Sequence, residues 1–164
     1  MNPYLGSFRA ASGNFFPSQL ASFYPLLKFT PKRSNMDLIK YETGERLAWI
    51  TLNRPEKRNA LSDELVAELK EAFQKATYDP KVKVIILKAE GTSFCAGADI
   101  AYLQQLQSNT YEENLDDSIH LKELFEMIYT IPKVVIAQVQ GPAIAGGCGL
   151  ATVCDMVYAV PEAQ

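Results

Sequence analysis

The order of its apolar runs constrains this chain more than any other feature of the sequence. Two short runs rich in β-branched residues, 82–87 and 134–139, are apolar enough to be strands buried on both faces. A third run at 46–52 precedes them, a fourth at 155–159 follows them, and segments with helical spacing separate them. This alternation of strand and helix predicts an α/β domain with right-handed parallel crossovers.

Local signals set the predicted bounds of the elements between these runs. Ser62 can cap the first long helix, and Pro132 ends the second one. The polar segment 107–117 is predicted to be a mobile connection. The predicted elements are a β-hairpin of 38–42 and 46–52, a helix over 63–78, a short helix from about Ile100, and a second long amphipathic helix over 117–131.

Composition excludes several classes of partner. The chain has 164 residues, of which 48% are hydrophobic, so one globular domain is expected. With 16 basic and 19 acidic residues it lacks the broad basic surface that a nucleic acid requires. No apolar run approaches the roughly 18 residues of a membrane span. Three cysteines without a CxxC spacing suggest neither a disulfide framework nor a zinc site, so no metal and a reducing compartment are expected.

Residues 1–35 differ in kind from residues 36–164. They contain four basic residues, no acidic residue and clustered prolines, and they lack the periodicity of a packed element. We interpret 1–35 as an unstructured or leader segment and 36–164 as the folded domain. The expected location is the cytoplasm. If 1–35 is instead a transit peptide, the mitochondrial matrix is expected.

Two loops of small residues follow buried strands and lead toward helices. They are Cys95-Ala-Gly-Ala-Asp99 and Ala145-Gly-Gly-Cys-Gly149. Such loops offer their backbone, and two of them facing each other can direct two N–H groups at one oxygen, which is an oxyanion hole. The alternative is that small residues only let a helix approach the sheet. From the loops alone both interpretations remain open.

Neither phosphate-binding motif fits the glycine-rich segment. A P-loop requires Lys and then Ser or Thr where this chain has Gly147 and Cys148. The dinucleotide fingerprint lacks its third glycine. The chain therefore shows no sequence signature of a nucleotide cofactor.

Few residues of the sequence are candidates for a catalytic acid or base. His120 is the only histidine and is predicted to be a boundary residue of the second long helix. Asp99 is predicted first as the cap of the short helix. Asp116 and Asp117 fall in the predicted polar connection and are expected to form a solvated face.

Three separated segments together resemble the crotonase (enoyl-CoA hydratase/isomerase) superfamily. They are ITLNRPEKRNALS at 50–62, VKVIILKAEGTSFCAGADI at 82–100, and IPKVVIAQVQGPAIAGGCGLATVCDMVYA at 131–159. The resemblance covers 37–164 and implies a crotonase-type ββα spiral whose C-terminal portion is absent here. It further implies an acyl-CoA thioester substrate, no cofactor besides the coenzyme A that belongs to that substrate, and a homotrimer or hexamer in the full-length protein.

The resemblance also assigns site residues. It implies that the backbone N–H groups of Ala98 and Gly146 form the oxyanion hole, which stabilises an enolate. It implies that substrate is bound by Lys57, Arg58, Ala60, Leu61, Ala96, Asp99 and Ile100. Lys57 and Arg58 would then contact phosphates of coenzyme A.

One departure from the family pattern concerns catalysis. Hydratases of the two-glutamate type resemble GGxE at the glycine-rich segment, and this chain has Gly149 in the place of the glutamate. The family's second glutamate lies in a segment beyond Gln164, so the chain alone is expected to be inactive. We predict a hydratase-type lyase, and the VQG and AGGCGL segments resemble methylglutaconyl-CoA hydratases. The alternatives are an enoyl-CoA delta isomerase and a noncatalytic binder of CoA thioesters.

Overall fold

The computed structural model of the protein describes residues 36–163, so the predicted leader 1–35 lies outside the described residues. The described part has the mixed α/β architecture that the alternating apolar runs predict. Its elements are β1 (Ile39–Gly44), β2 (Leu47–Leu52), α1 (Asp63–Tyr78), β3 (Val84–Ala89), α2 (Ile100–Leu106), α3 (Tyr111–Thr130), β4 (Val134–Val139), α4 (Gly146–Thr152) and β5 (Met156–Ala159). No helix within 36–163 combines the length and apolar character of a membrane span.

The five strands form one sheet in the order β1-β2-β3-β4-β5. β1 and β2 form the predicted antiparallel hairpin, and the remaining neighbours pair in parallel. Because β2, β3 and β4 run in the same direction, the loops that follow them leave from the same edge of the sheet. That edge is where open α/β sheets place their ligands.

The core lies between the sheet and the two long helices. The α1 stripe of Leu65, Leu69 and Phe73 is fully buried, as its helical spacing predicts. α1 contacts α3, β1 and β2, and α3 contributes Leu124 and Ile128 to the same cluster. Ser62 caps α1 by accepting a hydrogen bond from the N–H of Leu65. The sequence prediction for α1 is therefore confirmed.

The predicted mobile connection at 107–117 is wrong in its second half. α3 begins at Tyr111, because Thr110 and Glu113 form a reciprocal capping box. Polar residues fill this first part of the helix since its outer face is solvated, and this masked the helical periodicity. The sheet also departs slightly from prediction, because β3 begins at Val84 rather than at residue 82.

Candidate active site

The loop after β2 is fixed by a buried asparagine. Arg58 and Asn59 adopt left-handed backbone conformations, with φ of 50° and 53°. The Asn59 side chain donates hydrogen bonds to the carbonyl oxygens of Glu90 and Ser93 at 2.9 Å and accepts one from the N–H of Arg54 at 2.9 Å. Asn59 thereby joins the loop after β2 to the loop after β3. The sequence analysis missed this role, although asparagine tolerates the left-handed region better than most residues.

The loop after β3 contains one backbone N–H, that of Ala98, that points away from the paired segment at Leu61. The Leu61 N–H donates to the carbonyl of Gly97 at 2.7 Å, and the Asp99 N–H donates to the carbonyl of Leu61 at 2.8 Å. Ala98 lies between these two bonds, so its own N–H faces the opposite side from Leu61. None of the residues that the structure describes accepts a hydrogen bond from the Ala98 N–H.

The loop after β4 contains a second backbone N–H without an acceptor within 36–163, that of Gly146. Ala145 adopts φ 49° and ψ −115°, a strained conformation for a residue with a side chain. Gly146 then begins α4, and its N–H likewise has no acceptor within 36–163. Gly147 has a packing role instead, because a Cβ there would lie 2.2 Å from the carbonyl oxygen of Cys95.

The two loops meet at one cavity. A Cβ on Gly97 would lie 2.9 Å from the carbonyl oxygen of Ile144 and 3.5 Å from the nitrogen of Gly146, so the backbones are in contact. Ala98 and Gly146 both line a cavity of about 260 Å³, whose wall also includes Leu61. Two backbone donors without an acceptor therefore lie on one small cavity, which can accept a ligand oxygen.

A buried ion pair holds the loop that carries Ala98. Arg54 Nη1 lies 2.7 Å from Asp99 Oδ2, and Asp99 Oδ1 accepts a hydrogen bond from the N–H of Ala101 at 2.9 Å. Burial by itself would raise the pKa of Asp99, but the Ala101 N–H and the Arg54 guanidinium outweigh it and hold that pKa below its ordinary value. The predicted helix cap at Asp99 is confirmed, while the Arg54 partner was not foreseen.

The cavity brings together only some of the predicted site residues. Leu61, Ala98 and Gly146 line it. Lys57 and Arg58 are exposed on the loop after β2. The Ala96 N–H, on the loop after β3, donates a hydrogen bond to the carbonyl of Arg58 at 3.0 Å. The predicted binding residues outside the cavity wall are Lys57, Arg58, Ala60, Ala96, Asp99 and Ile100.

Polar side chains from α2 and α3 complete the cavity wall, and the sequence analysis did not predict them there. The Tyr102 hydroxyl donates a hydrogen bond to Asp117, and burial together with this carboxylate raises the pKa of Tyr102. Asp117 is thus not part of a solvated face, contrary to prediction. His120 is half-buried and lines the same cavity, with Lys70 Nζ 3.1 Å from its Nδ1. The i, i+3 spacing of Asp117 and His120 would have indicated a shared face if α3 had been predicted to begin at Tyr111.

Three further observations bear on the chemistry. A Cβ at Gly149 would lie 3.4 Å from Cε2 of Phe125, and the position carries no acid or base. Burial raises the pKa of Cys95 to about 11 and that of Cys154 to about 12, so both thiols stay protonated near neutral pH. Within 36–163 no group of three His, Cys, Asp or Glu side chains is arranged to hold a metal ion.

Comparison with known proteins identifies the family. The sequence profile described as enoyl-CoA hydratase/isomerase matches residues 42–164. A protein of Thermus thermophilus named "Putative enoyl-CoA hydratase" is 42% identical over 127 residues, which cover 77% of this chain and 50% of that protein.

Solved structures agree with this similarity. A protein of Legionella pneumophila superimposes with a TM-score of 0.76 at 41% identity, over 78% of this chain and 49% of that one. An enoyl-CoA hydratase/isomerase from Xanthobacter autotrophicus Py2 gives 0.74 at 35% identity, over 77% and 47%. The chain spans about half the length of the curated relatives and structures it matches. The profile match, the sequence identity and the shared fold together establish that the chain belongs to the enoyl-CoA hydratase/isomerase family.

Proposed function

We propose that the protein is an enoyl-CoA hydratase-type lyase, in which the N–H groups of Ala98 and Gly146 bind the thioester oxygen of an acyl-CoA. The observation that carries the proposal is the pair of unpartnered N–H groups on one cavity of about 260 Å³. Family membership supports the substrate class.

The proposed role of the two donors follows from where charge develops. When water adds to Cβ of a conjugated thioester, the electrons of the double bond move toward the carbonyl and leave negative charge on its oxygen. Fixed N–H groups stabilise that enolate more than the neutral carbonyl, and each donor contributes about 2.7–4 kcal/mol in measured cases. Small residues in both loops keep the backbone accessible to the thioester.

We propose that the coenzyme A arm lies along the loop after β2. Lys57 and Arg58 are exposed there and can pair with phosphates. Ala60, Leu61, Ala96, Asp99 and Ile100 would border the remainder of the arm. Binding through exposed cations weakens as the salt concentration rises.

Finer properties follow from the resemblance. We propose hydration in preference to a double-bond shift, an acyl group of the methylglutaconyl type, and assembly as a homotrimer or hexamer. The proposed location is the cytoplasm, or the mitochondrial matrix if 1–35 is a transit peptide.

The test uses the protein expressed from its complete gene. Crotonyl-CoA and 3-methylglutaconyl-CoA are assayed by the loss of absorbance of the conjugated thioester. Gly146→Pro removes one donor N–H at the first position of α4 and should lower kcat by about 10²–10³. Gly146→Ala is the matched control because it keeps the N–H. Its added Cβ lies 3.1 Å from Leu61 Cδ1, the end of a flexible side chain.

Other outcomes would redirect the proposal. Turnover of a 3-enoyl-CoA without hydration would identify an isomerase. Binding of CoA thioesters without any turnover would identify a noncatalytic binder. Equal activity of Gly146→Pro and Gly146→Ala would refute the oxyanion assignment.

A further inference from the structure

We propose that Asp117 is a carboxylate that transfers protons at this site, and that Tyr102 positions it. The proposal rests on the proposed function, since it needs a thioester bound at Ala98 and Gly146. It goes beyond the family comparison because Gly149 stands where the family pattern has its first glutamate, so that carboxylate is missing here.

Asp117 and Tyr102 face each other across the wall of the cavity that holds the two backbone donors. Both residues line that cavity together with Ala98 and Gly146. The Tyr102 hydroxyl, on α2, donates a hydrogen bond to Oδ1 of Asp117, on α3. Within 36–163 no group donates to Oδ2 of Asp117, and this atom is not enclosed by protein. One carboxylate oxygen is thus fixed, and the other is free to accept a proton.

The remaining titratable groups on the cavity wall fit a proton-transfer role less well. The Asp63 side chain is 57% exposed at the start of α1, and its Oδ1 lies 3.7 Å from Nε2 of His120. His120 accepts a hydrogen bond at Nδ1 from Lys70, which also donates to Glu123 at 2.7 Å. Because Nδ1 of His120 accepts from Lys70 and the buried Nε2 has no hydrogen-bond partner within 36–163, the ring presents no fixed acceptor to the cavity.

Tyr102 is suited to orient its partner because it remains protonated. Its pKa is raised by burial and by the Asp117 carboxylate, so the hydroxyl donates across the neutral pH range. A donor on one oxygen restricts rotation of the carboxylate without neutralising it. Tyr102 is therefore a positioning residue, and Asp117 is the group that contacts the reacting atoms.

The proposed step balances in atoms and electrons. Asp117 takes one proton from water as the water oxygen forms a bond to Cβ, and the electrons of the double bond move onto the thioester oxygen. The enolate then re-forms the carbonyl, and Cα takes the proton back from the carboxylic acid of Asp117. The net change is addition of H and OH across the double bond, with no oxidant or reductant.

Four variants of the protein from the complete gene test the proposal with crotonyl-CoA as substrate. Asp117→Asn keeps the acceptor for Tyr102 and should lower kcat by about 10²–10⁴, the usual contribution of a general acid or base. Asp117→Glu keeps a carboxylate and should retain more activity than the amide. The matched control is Asp116→Asn, an exposed aspartate on the same helix, whose kcat should remain within about twofold of wild type.

Tyr102→Phe distinguishes positioning from folding. It should lower kcat by about tenfold while KM and the thermal unfolding midpoint stay near wild type. The inference is overturned if Asp117→Asn is folded and hydrates crotonyl-CoA at close to the wild-type rate. It is also overturned if Asp116→Asn loses as much activity as Asp117→Asn. A wild-type protein that hydrates neither crotonyl-CoA nor 3-methylglutaconyl-CoA would instead refute the proposed function and this inference together.

Discussion

Replacement of Arg54 by methionine tests how the loop carrying Ala98 is held. Arg54 Nη1 lies 2.7 Å from Asp99 Oδ2, and the two side chains are only 18% and 9% exposed. The same Arg54 nitrogen donates to the carbonyl of Ala60 at 3.2 Å. Arg54→Met removes both bonds, keeps most of the apolar stem and leaves the Asp99 charge buried.

The expected loss follows from the burial of the pair. Removing one partner of a buried ion pair costs about 3–5 kcal/mol, chiefly because the other charge stays desolvated. Asp99 keeps its hydrogen bond from the Ala101 N–H, which favours the lower end of that range. We expect the free energy of unfolding to fall by about 3 kcal/mol.

Urea unfolding at pH 7 measures this change, with the slope m compared between variants. Lys40→Met is the matched control, since the Lys40–Glu90 pair is 50% and 45% exposed and its loss should cost less than about 1 kcal/mol. The double variant Arg54→Met with Asp99→Asn removes both charges, keeps a capping oxygen and should lose only about 1 kcal/mol. A double variant as unstable as the single one, or an Arg54→Met variant that loses no more stability than Lys40→Met, would show that the buried Asp99 charge does not depend on Arg54.

Three further predictions concern stability. The fold lowers the pKa of Asp99, so the stability that its charge contributes is complete above the unfolded pKa of about 3.9 and is lost as the pH falls through the folded pKa. The stability difference between wild type and Asp99→Asn should therefore shrink below about pH 4 in acid titrations. Gly147→Ala places a Cβ 2.2 Å from the Cys95 carbonyl oxygen and should cost about 3 kcal/mol in urea unfolding, whereas Gly149→Ala, at 3.4 Å from Phe125, should change stability by no more than about 1 kcal/mol. Phe73→Ala empties a fully buried site and should cost about 3–5 kcal/mol, against less than about 0.5 kcal/mol for the exposed Tyr78→Ala.

The sequence predicts those parts of the fold whose signals are local. α1 combines a capping serine, acidic residues in its first turn and a continuous apolar stripe, and all three agree with the structure. The start of α3 is different, since Leu115 and Ile119 are exposed there and no buried stripe marks the helix. Its capping box at Thr110 and Glu113 is a local signal that the polar composition of the segment concealed.

In the candidate site, too, the features with local sequence signals were predicted, and those that depend on contacts between distant elements were not. The small residues around Ala98 and Gly146 indicated backbone donors, and the resemblance singled out which two. The pairs Arg54–Asp99 and Tyr102–Asp117 join residues from different elements, so their partners become apparent only once the sheet has brought the loops together. Asn59 likewise acts on carbonyls about thirty positions away in the chain.

In the proposed function, two backbone N–H groups, from Ala98 and Gly146, polarise one thioester oxygen. The infrared stretching frequency of the carbonyl in crotonyl-CoA, labelled with ¹³C at C1 and bound to the protein, measures this polarisation without requiring turnover. We predict a lower frequency in the complex than in water, a return toward the aqueous value in Gly146→Pro, and no return in Gly146→Ala. An unshifted carbonyl in the wild-type complex, or an equal shift in all three proteins, would show that these two N–H groups do not polarise the thioester.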